Sequence, residues 1–333
     1  MCDAIFTFGQ RGSHFFQCPS RRDYTRIPKK LQRILATKDI AHVYHVTLGF
    51  ENSFMITYRD RNGNDHIEFQ GLPSELTTFL TATHPTTHLP LRSLPSITLT
   101  LGPENESFFV GDGTSYLWMN LPGPLLSALQ SRISNGSWTD KPRLVALGAS
   151  SNFLLITQNN AAVWDLPAYR TLGDMMLYSQ GKERGIEEVW GVVLHAYRYQ
   201  GFVAMSRNGT VLGENLPEWS LKGLEGLKAP IGRDVREEEV RRRQRVLAAR
   251  PGLGDRERSG NERLRPQATL RRQWGKAVDE WADGRSENRG DDGGRERERE
   301  RQKTYFKTQA KGMKLSLSLS IGIGAGGLTK ILG

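Results

Sequence analysis

Residues 97–129 read ITLTLGPENESFFVGDGTSYLWMNLPGPLLSAL, and the expected fold follows from this stretch. An apolar run ends on Gly102, turn-forming residues follow, Phe108 and Phe109 open a second apolar run, and Asp112–Gly113 marks another turn. A third run holds Trp118, and Leu121–Pro122 introduces Leu125 and Leu129 at helical spacing. The pattern predicts three short strands and about two turns of helix, and one such unit cannot cover both faces of its own sheet.

Working outward, the same pattern occurs five times. The copies are FTFGQRGSHFF with IPKKL, VTLGFENSFMI with LPSEL, LTLGPENESFFV with LPGPLL, VALGASSNFLLI with LPAYRTL, and HAYRYQGFVAM with LPEWSL. Their prolines, Pro28, Pro73, Pro122, Pro167 and Pro217, are spaced by 45, 49, 45 and 50 residues. Units of this length dominated by antiparallel hairpins are expected in a β-propeller, where each blade covers its neighbour. The expected architecture is therefore mainly β: a propeller-like array of about five repeats of about 47 residues, each with three to four antiparallel strands and a short helix. An open stack of the same units is the rival. Residues 83–96, 133–143 and 178–190 are long enough to supply fourth strands.

Each recurring position has an expected role. Gly9, Gly49, Gly102 and Gly148 are read as turn residues with positive φ, and Tyr197 stands at that place in the fifth copy. Phe15–Phe16, Phe54–Met55, Phe108–Phe109, Phe153–Leu154 and Phe202–Val203 are read as equivalent buried pairs. Asn62–Gly63, Asp112–Gly113, Asn159–Asn160 and Asn208–Gly209 are read as two-residue hairpin loops. The five prolines are read as first helical residues, where a missing N–H costs nothing. Recurrence in every copy assigns the repeated aromatics to the core.

The repeat resembles one found in uncharacterised fungal proteins, Leu-Gly-x-x-x-Ser-Phe-Phe followed by Asp-Gly and Leu-Pro-x-x-Leu. The resemblance covers residues 4 to about 228 and departs most in the fifth copy. It implies a propeller-like interaction module and supplies no catalytic residue.

Charge divides the chain further. The 333 residues carry 46 Lys and Arg against 36 Asp and Glu, a net charge of +10, yet residues 1–232 hold 21 basic and 20 acidic residues, or +1. The basicity belongs to residues 233–333, so a pI-based inference of nucleic-acid binding does not extend to the repeats. The expected division is a repeat domain over 1–231, a charged and partly helical segment over 232–311, and a Ser/Gly/Leu-rich strand-like tail over 312–333. Within the second, Val235–Arg250 pairs Glu237, Glu238 and Glu239 with arginines four residues on. Gln267–Asp283 places Leu270, Trp274 and Trp281 on one face, a candidate partner-binding surface. Residues 284–303 have the composition of a disordered linker. In the last segment, leucines and isoleucines from Leu315 to Ile323 alternate with Ser or Gly, which predicts an edge strand.

The chemistry-bearing motifs weigh little. Gly322-x-Gly324-x-x-Gly327 matches a dinucleotide fingerprint, but the helix, second strand and acidic residue it requires do not follow. His42-x-x-His45 and His84-x-x-x-His88 lack the further ligands that zinc needs. No metal, cofactor or catalytic residue is therefore expected. Met1–Phe8 lacks a basic, long-apolar leader and the chain has 2 Cys, so an intracellular location without a transmembrane helix is expected. The functional expectation is a non-enzymatic, intracellular platform for a protein partner. A glycan-binding propeller using Trp118 and Trp164 is one alternative. Association of residues 233–333 with nucleic acid or an anionic membrane is another.

Overall fold

The computed structural model describes residues 3–248 and Leu317–Leu319. It is mainly β and built on five small antiparallel sheets. Sheet one has β1 (Ile5–Phe8), β2 (His14–Cys18) and β3 (Arg21–Thr25). Sheet two has β4 (Ile40–Leu48), β5 (Phe54–Asp60) and β6 (Asp65–Gln70), and sheet three has β7 (Thr98–Leu101), β8 (Phe108–Gly111) and β9 (Tyr116–Met119). A separate hairpin, β10 (Ile133–Ser134) and β11 (Ser137–Trp138), precedes sheet four, which has β12 (Pro142–Leu147), β13 (Phe153–Thr157) and β14 (Ala162–Asp165). Sheet five has β15 (Val189–Leu194), β16 (Phe202–Ser206) and β17 (Val211–Glu214). Helices follow the sheets: α1 (Lys29–Ala36), α2 (Ser74–Leu80), α3 (Gly123–Gln130), α4 (Arg170–Gln180) with the short α5 (Gly185–Glu188), and α6 (Glu218–Ala248).

Five sheets enclose five cores. Leu31 and Leu35 of α1 pack with Phe15 of sheet one and Phe54 of sheet two, and Leu76 and Phe79 of α2 with Met55 and Phe108 of sheets two and three. Leu125 and Leu129 of α3 join Trp118 to Phe153, and Leu172 and Met176 of α4 join Leu154 to Phe202. The fifth core lies between the last sheet and the first: Leu224, Leu227 and Ile231 of α6 pack with Val203 and Met205 on one side and Phe8 and Phe16 on the other. The first strands follow the same order, β1 against β4, β4 against β7, β7 against β12, β12 against β15, and β15 against β1. Threonines tie several of these inner strands: Thr7 Oγ1 accepts from Leu48 N–H at 2.9 Å, and Thr47 and Thr100 hydroxyls donate to the Leu99 and Val145 carbonyls at 2.8 Å.

Because neighbouring side chains on a strand point to opposite faces, adjacent residues of each middle strand serve adjacent cores. Phe108 faces the core shared with sheet two and Phe109 the core shared with sheet four. By this criterion the equivalents in the first copy are His14 and Phe15, not Phe15 and Phe16. Ser13 aligns with Ser53 through the same bond, Gly9 N–H to Ser13 O and Gly49 N–H to Ser53 O.

Other expectations need correction. Gly9, Gly102 and Gly148 have φ of −117°, −84° and −124°, so positive φ does not select them. Close approach does: a Cβ on Gly9 or Gly102 would collide with the hydroxyl of Ser13 or Ser107, one on Gly49 would lie 2.5 Å from Ser53 Oγ, and one on Gly148 would lie 2.8 Å from the Tyr169 ring. Left-handed backbone falls two residues later, at Arg11, Glu51, Glu104 and Ser150. In the fifth copy His195 takes the glycine position, with its N–H bonded to Gly201 O, and Tyr197 lies within the lengthened loop. Three second turns, including those at Asn62–Gly63, Asn159–Asn160 and Asn208–Gly209, are three-residue loops ending in left-handed Gly63, Asn160 or Gly209.

Pro28, Pro73 and Pro122 are helix N-caps with φ near −53° and extended ψ, and their carbonyls accept the first helical bonds. Pro167 stands before the cap, Tyr169. The segments expected to add fourth strands form an isolated bridge at Thr83 and Pro90, the β10–β11 hairpin, and parts of α4 and α5. The fourth strand seen is β18 (Leu317–Leu319), antiparallel to β9 on the outer edge of sheet three. The boundary expected at 231/232 falls inside α6, which runs unbroken through Pro230 because its apolar face is buried at Leu224, Leu227 and Ile231. Two of the three expected i,i+4 pairs form, Glu237–Arg241 and Glu239–Arg243. Among the described residues, no helix is long and apolar enough to cross a membrane.

Candidate interaction surface

Antiparallel order places the turns between first and second strands, and the starts of the following helices, at one end of every sheet. That end forms a rim of five loops: 9–13, 49–53, 102–107, 148–152 and 195–201. The loops are fastened to one another. Gln10 Oε1 accepts from Glu51 N–H at 3.2 Å, Asn105 Oδ1 accepts from Phe50 N–H at 3.0 Å, and the Tyr169 hydroxyl donates to His195 O while accepting from Ala149 N–H, both at 2.8 Å. Burial pushes the Tyr169 hydroxyl up to about 12, so it remains a donor throughout the physiological range.

The rim's most exposed aromatic residues are Trp219, where sheet five meets sheet one, and Tyr199, whose hydroxyl lies 2.9 Å from Ser150 Oγ in the sheet-four loop. Tyr199 is 59% exposed and Trp219, in the first turn of α6, is 40% exposed. Both are held. The Tyr199 carbonyl accepts from Asn215 Nδ2 at 2.7 Å, and the Trp219 indole N–H donates to Gly12 O at 2.9 Å. Arginines flank them: Arg26 stacks 4.5 Å above the Trp219 ring and donates to Arg11 O, and Arg198 donates to Asn215 Oδ1 at 3.0 Å. Exposed Tyr, Trp and Arg held in one conformation are the side chains that carry binding energy at protein interfaces, because little entropy remains to be lost.

Beneath this part of the rim, the two positions where a histidine replaces the repeat's usual residue meet the closing core. His14, in the place of Phe54 and Phe108, is fully buried; its Nε2–H donates to Asp23 and its Nδ1 accepts from Ser220 Oγ, both at 2.9 Å. Burial lowers its pKa against the opposing pull of Asp23, and the neutral ring in this tautomer satisfies both partners. Ser220, His14 and Asp23 thus form a Ser–His–Asp chain, but Ser220 is 1% exposed and no substrate can reach its hydroxyl. The cluster joins α6 to sheet one. His195 stacks on Phe8 at 4.7 Å with an interplanar angle of 9°, and burial, then Arg198, push its pKa down to about 4.

A cavity of about 390 Å³ runs among the five first strands, with Thr7, His45, Thr98, Arg143, Val193 and Tyr197 in its wall. Tyr197 stands toward the rim, 6.5 Å from the Phe50 ring, and burial pushes its hydroxyl up to about 12 against the opposing pull of the Glu104 backbone. His45 is committed to Leu99 and Thr47. Arg143 donates to Val189 O, tying sheet four to sheet five. A second cavity of about 810 Å³ opens on the rim between sheets three and four, beside Glu104, Asn120 and Asn152.

The residues singled out from sequence separate clearly. Gly9, Gly49, Gly102 and Gly148 cluster at the rim, and Pro28, Pro73, Pro122 and Pro217 begin the helices beside it. Trp118 is 2% exposed and packed in the core, and Trp164 packs partly buried against the core between sheets four and five, so the pair named for glycan binding offers no open ring face at Trp118. Leu270, Trp274 and Trp281 lie outside the described residues. Among the described residues, no group of three His, Cys, Asp or Glu side chains is placed to hold a metal ion. Tyr199 and Trp219 do not stand out in the sequence. Trp219 stands two residues after its proline, as Tyr169 does in the fourth copy, and Tyr199 lies in the lengthened fifth loop, so repeat comparison marks neither.

Comparison with known protein families, with curated proteins and with solved structures gives no match.

Proposed function

We propose that the protein is a five-bladed, propeller-like binding platform without enzymatic activity, and that its loop rim docks a protein partner around sheet five, from its contact with sheet four to its contact with sheet one. The fifth shared core, between the last sheet and the first, supports the ring. The observation that carries the function is two exposed, fastened aromatic residues on this part of the rim: Trp219 under Arg26, and Tyr199 bonded to Ser150. The rim beneath them is fastened by hydrogen bonds between blades, so both are presented without a large ordering cost.

The test is co-purification from native extract, comparing the full chain with Tyr199→Ala/Trp219→Ala. Proteins retained by the parent are expected to fall roughly thirtyfold with the double variant, as for loss of an interface anchor. The double variant also loses the Trp219–Gly12 bond and the Arg26 stacking, so its thermal midpoint should fall modestly while a single cooperative transition persists. Equal recovery with both chains would remove the rim from recognition. A partner lost instead from a chain ending at Ala248, with steep salt dependence, would assign recognition to the basic tail and its nucleic-acid or membrane reading.

A further inference from the structure

We propose that the outer edge of β9 is a strand-docking site occupied in cis by the chain's own C-terminal segment, which clasps the charged tail back onto the third blade. Two observations meet here. The outer strands of the other four sheets all carry charge: Arg21, Arg22 and Asp23 in β3, Asp65 and Glu68 in β6, Asp165 in β14, and Glu214 in β17. Charge on an edge strand opposes pairing with another strand. The outer strand β9 reads YLWM and has none.

It is also the outer strand that bears a fourth strand. Leu317, Ser318 and Leu319 lie opposite Trp118, Leu117 and Tyr116 in antiparallel register. The segment around them, KLSLSLSIGI from Lys314 to Ile323, has the strict alternation of an edge strand and no acidic residue. Residues of β9 are more buried than those of any other outer strand, with Tyr116, Leu117 and Trp118 at 6%, 7% and 2% exposed, and Trp138 of the β10–β11 hairpin packs on Tyr116 and Trp118. Pairing at this edge returns the chain to sheet three 69 residues after the end of α6 at Ala248. A loop of that length closes at modest entropic cost, because the cost grows only with the logarithm of length.

Hydrogen exchange at Tyr116–Met119 tests the clasp in the full chain. Leu317→Pro/Ser318→Pro removes the N–H of two adjacent residues, one of which faces β9 whichever way the register alternates, and should make this segment exchange roughly tenfold faster, with no change in the middle strand β8. A chain ending at Lys311 should behave alike, and a peptide with the sequence of residues 314–323 should restore protection. Unchanged exchange in both altered chains would overturn the proposal. Protection that depends on protein concentration, with the full chain dimeric, would also overturn it by assigning the strand to a second copy.

Discussion

At the residue scale, the rim depends on a pair of positions that can hold only one side chain. Copies one to three place glycine first and serine second, whereas copy five reverses the order with His195 and Gly201, where a Cβ on Gly201 would lie 3.0 Å from His195 Cβ. Gly49→Ala should therefore destabilise the protein by roughly 1–3 kcal/mol, the usual cost of overpacking, as measured by urea unfolding. Gly9→Ala should be partly rescued by Ser13→Gly, because that change vacates the space the new methyl needs. An absence of rescue would mean that Leu48, 3.1 Å from the added Cβ, sets the limit instead.

The same position gives a pH dependence. An unfolded histidine titrates near 6.5, whereas His195 in the fold titrates near 4, so the unfolded chain binds the extra proton between these values. The stability contributed by neutral His195 is complete above pH 6.5 and is lost as pH falls toward 4, by roughly 3 kcal/mol over that window. His14 and His45 are shifted in the same direction and add to the loss. Unfolding midpoints at pH 7.5, 5.5 and 4.5 should decline accordingly, and His195→Gln should flatten part of the slope.

At the scale of elements, α6 does what no other helix among the described residues does: it fills the core between the first sheet and the last. Ser20 donates its N–H and hydroxyl to Asp234 at 3.2 and 3.0 Å, anchoring the helix at the end opposite the rim. Leu227, fully buried, should cost roughly 2–5 kcal/mol when replaced by Ala. Glu239→Ala on the solvated face should cost less than about 0.5 kcal/mol, because an exposed i,i+4 pair contributes little. Thermal unfolding of both variants checks the contrast. Equal losses would mean that the charged half of α6 is as tightly docked as the apolar half.

At the scale of the whole molecule, the core shared by the last sheet and the first makes the two ends of the repeat region interdependent. A chain ending at Ala248 retains all five cores and should unfold cooperatively near the parent midpoint. One ending at Pro217 exposes Phe8, Phe16, Val203 and Met205 together and should aggregate or lose its cooperative transition. Light scattering and calorimetry on the two chains distinguish these outcomes. Retained folding after removal of α6 would show that the fifth core is dispensable.

Repeat length, strand number per unit, the Pro–helix step and the position of the buried aromatics were legible in the sequence because each depends on local periodicity, and local periodicity survives without coordinates. The one-residue offset that aligns His14 with Phe54 and Phe108 was not. Phe15–Phe16 matches the other pairs by letter, and only the direction of each side chain toward one core or the next distinguishes the registers. For the same reason α6 reads as two segments: Pro230 and Gly232 mark a break by propensity, while burial against two sheets holds the helix together. The Ser220–His14–Asp23 chain and the Trp219–Gly12 contact join residues up to about 200 positions apart, and no spacing rule reaches that far. The sequence alone determined which units form, since strand and turn preferences act between near neighbours. Only the tertiary structure decided how the last unit meets the first, and so where Trp219 comes to rest against the first loop, because that contact depends on how five sheets pack in succession.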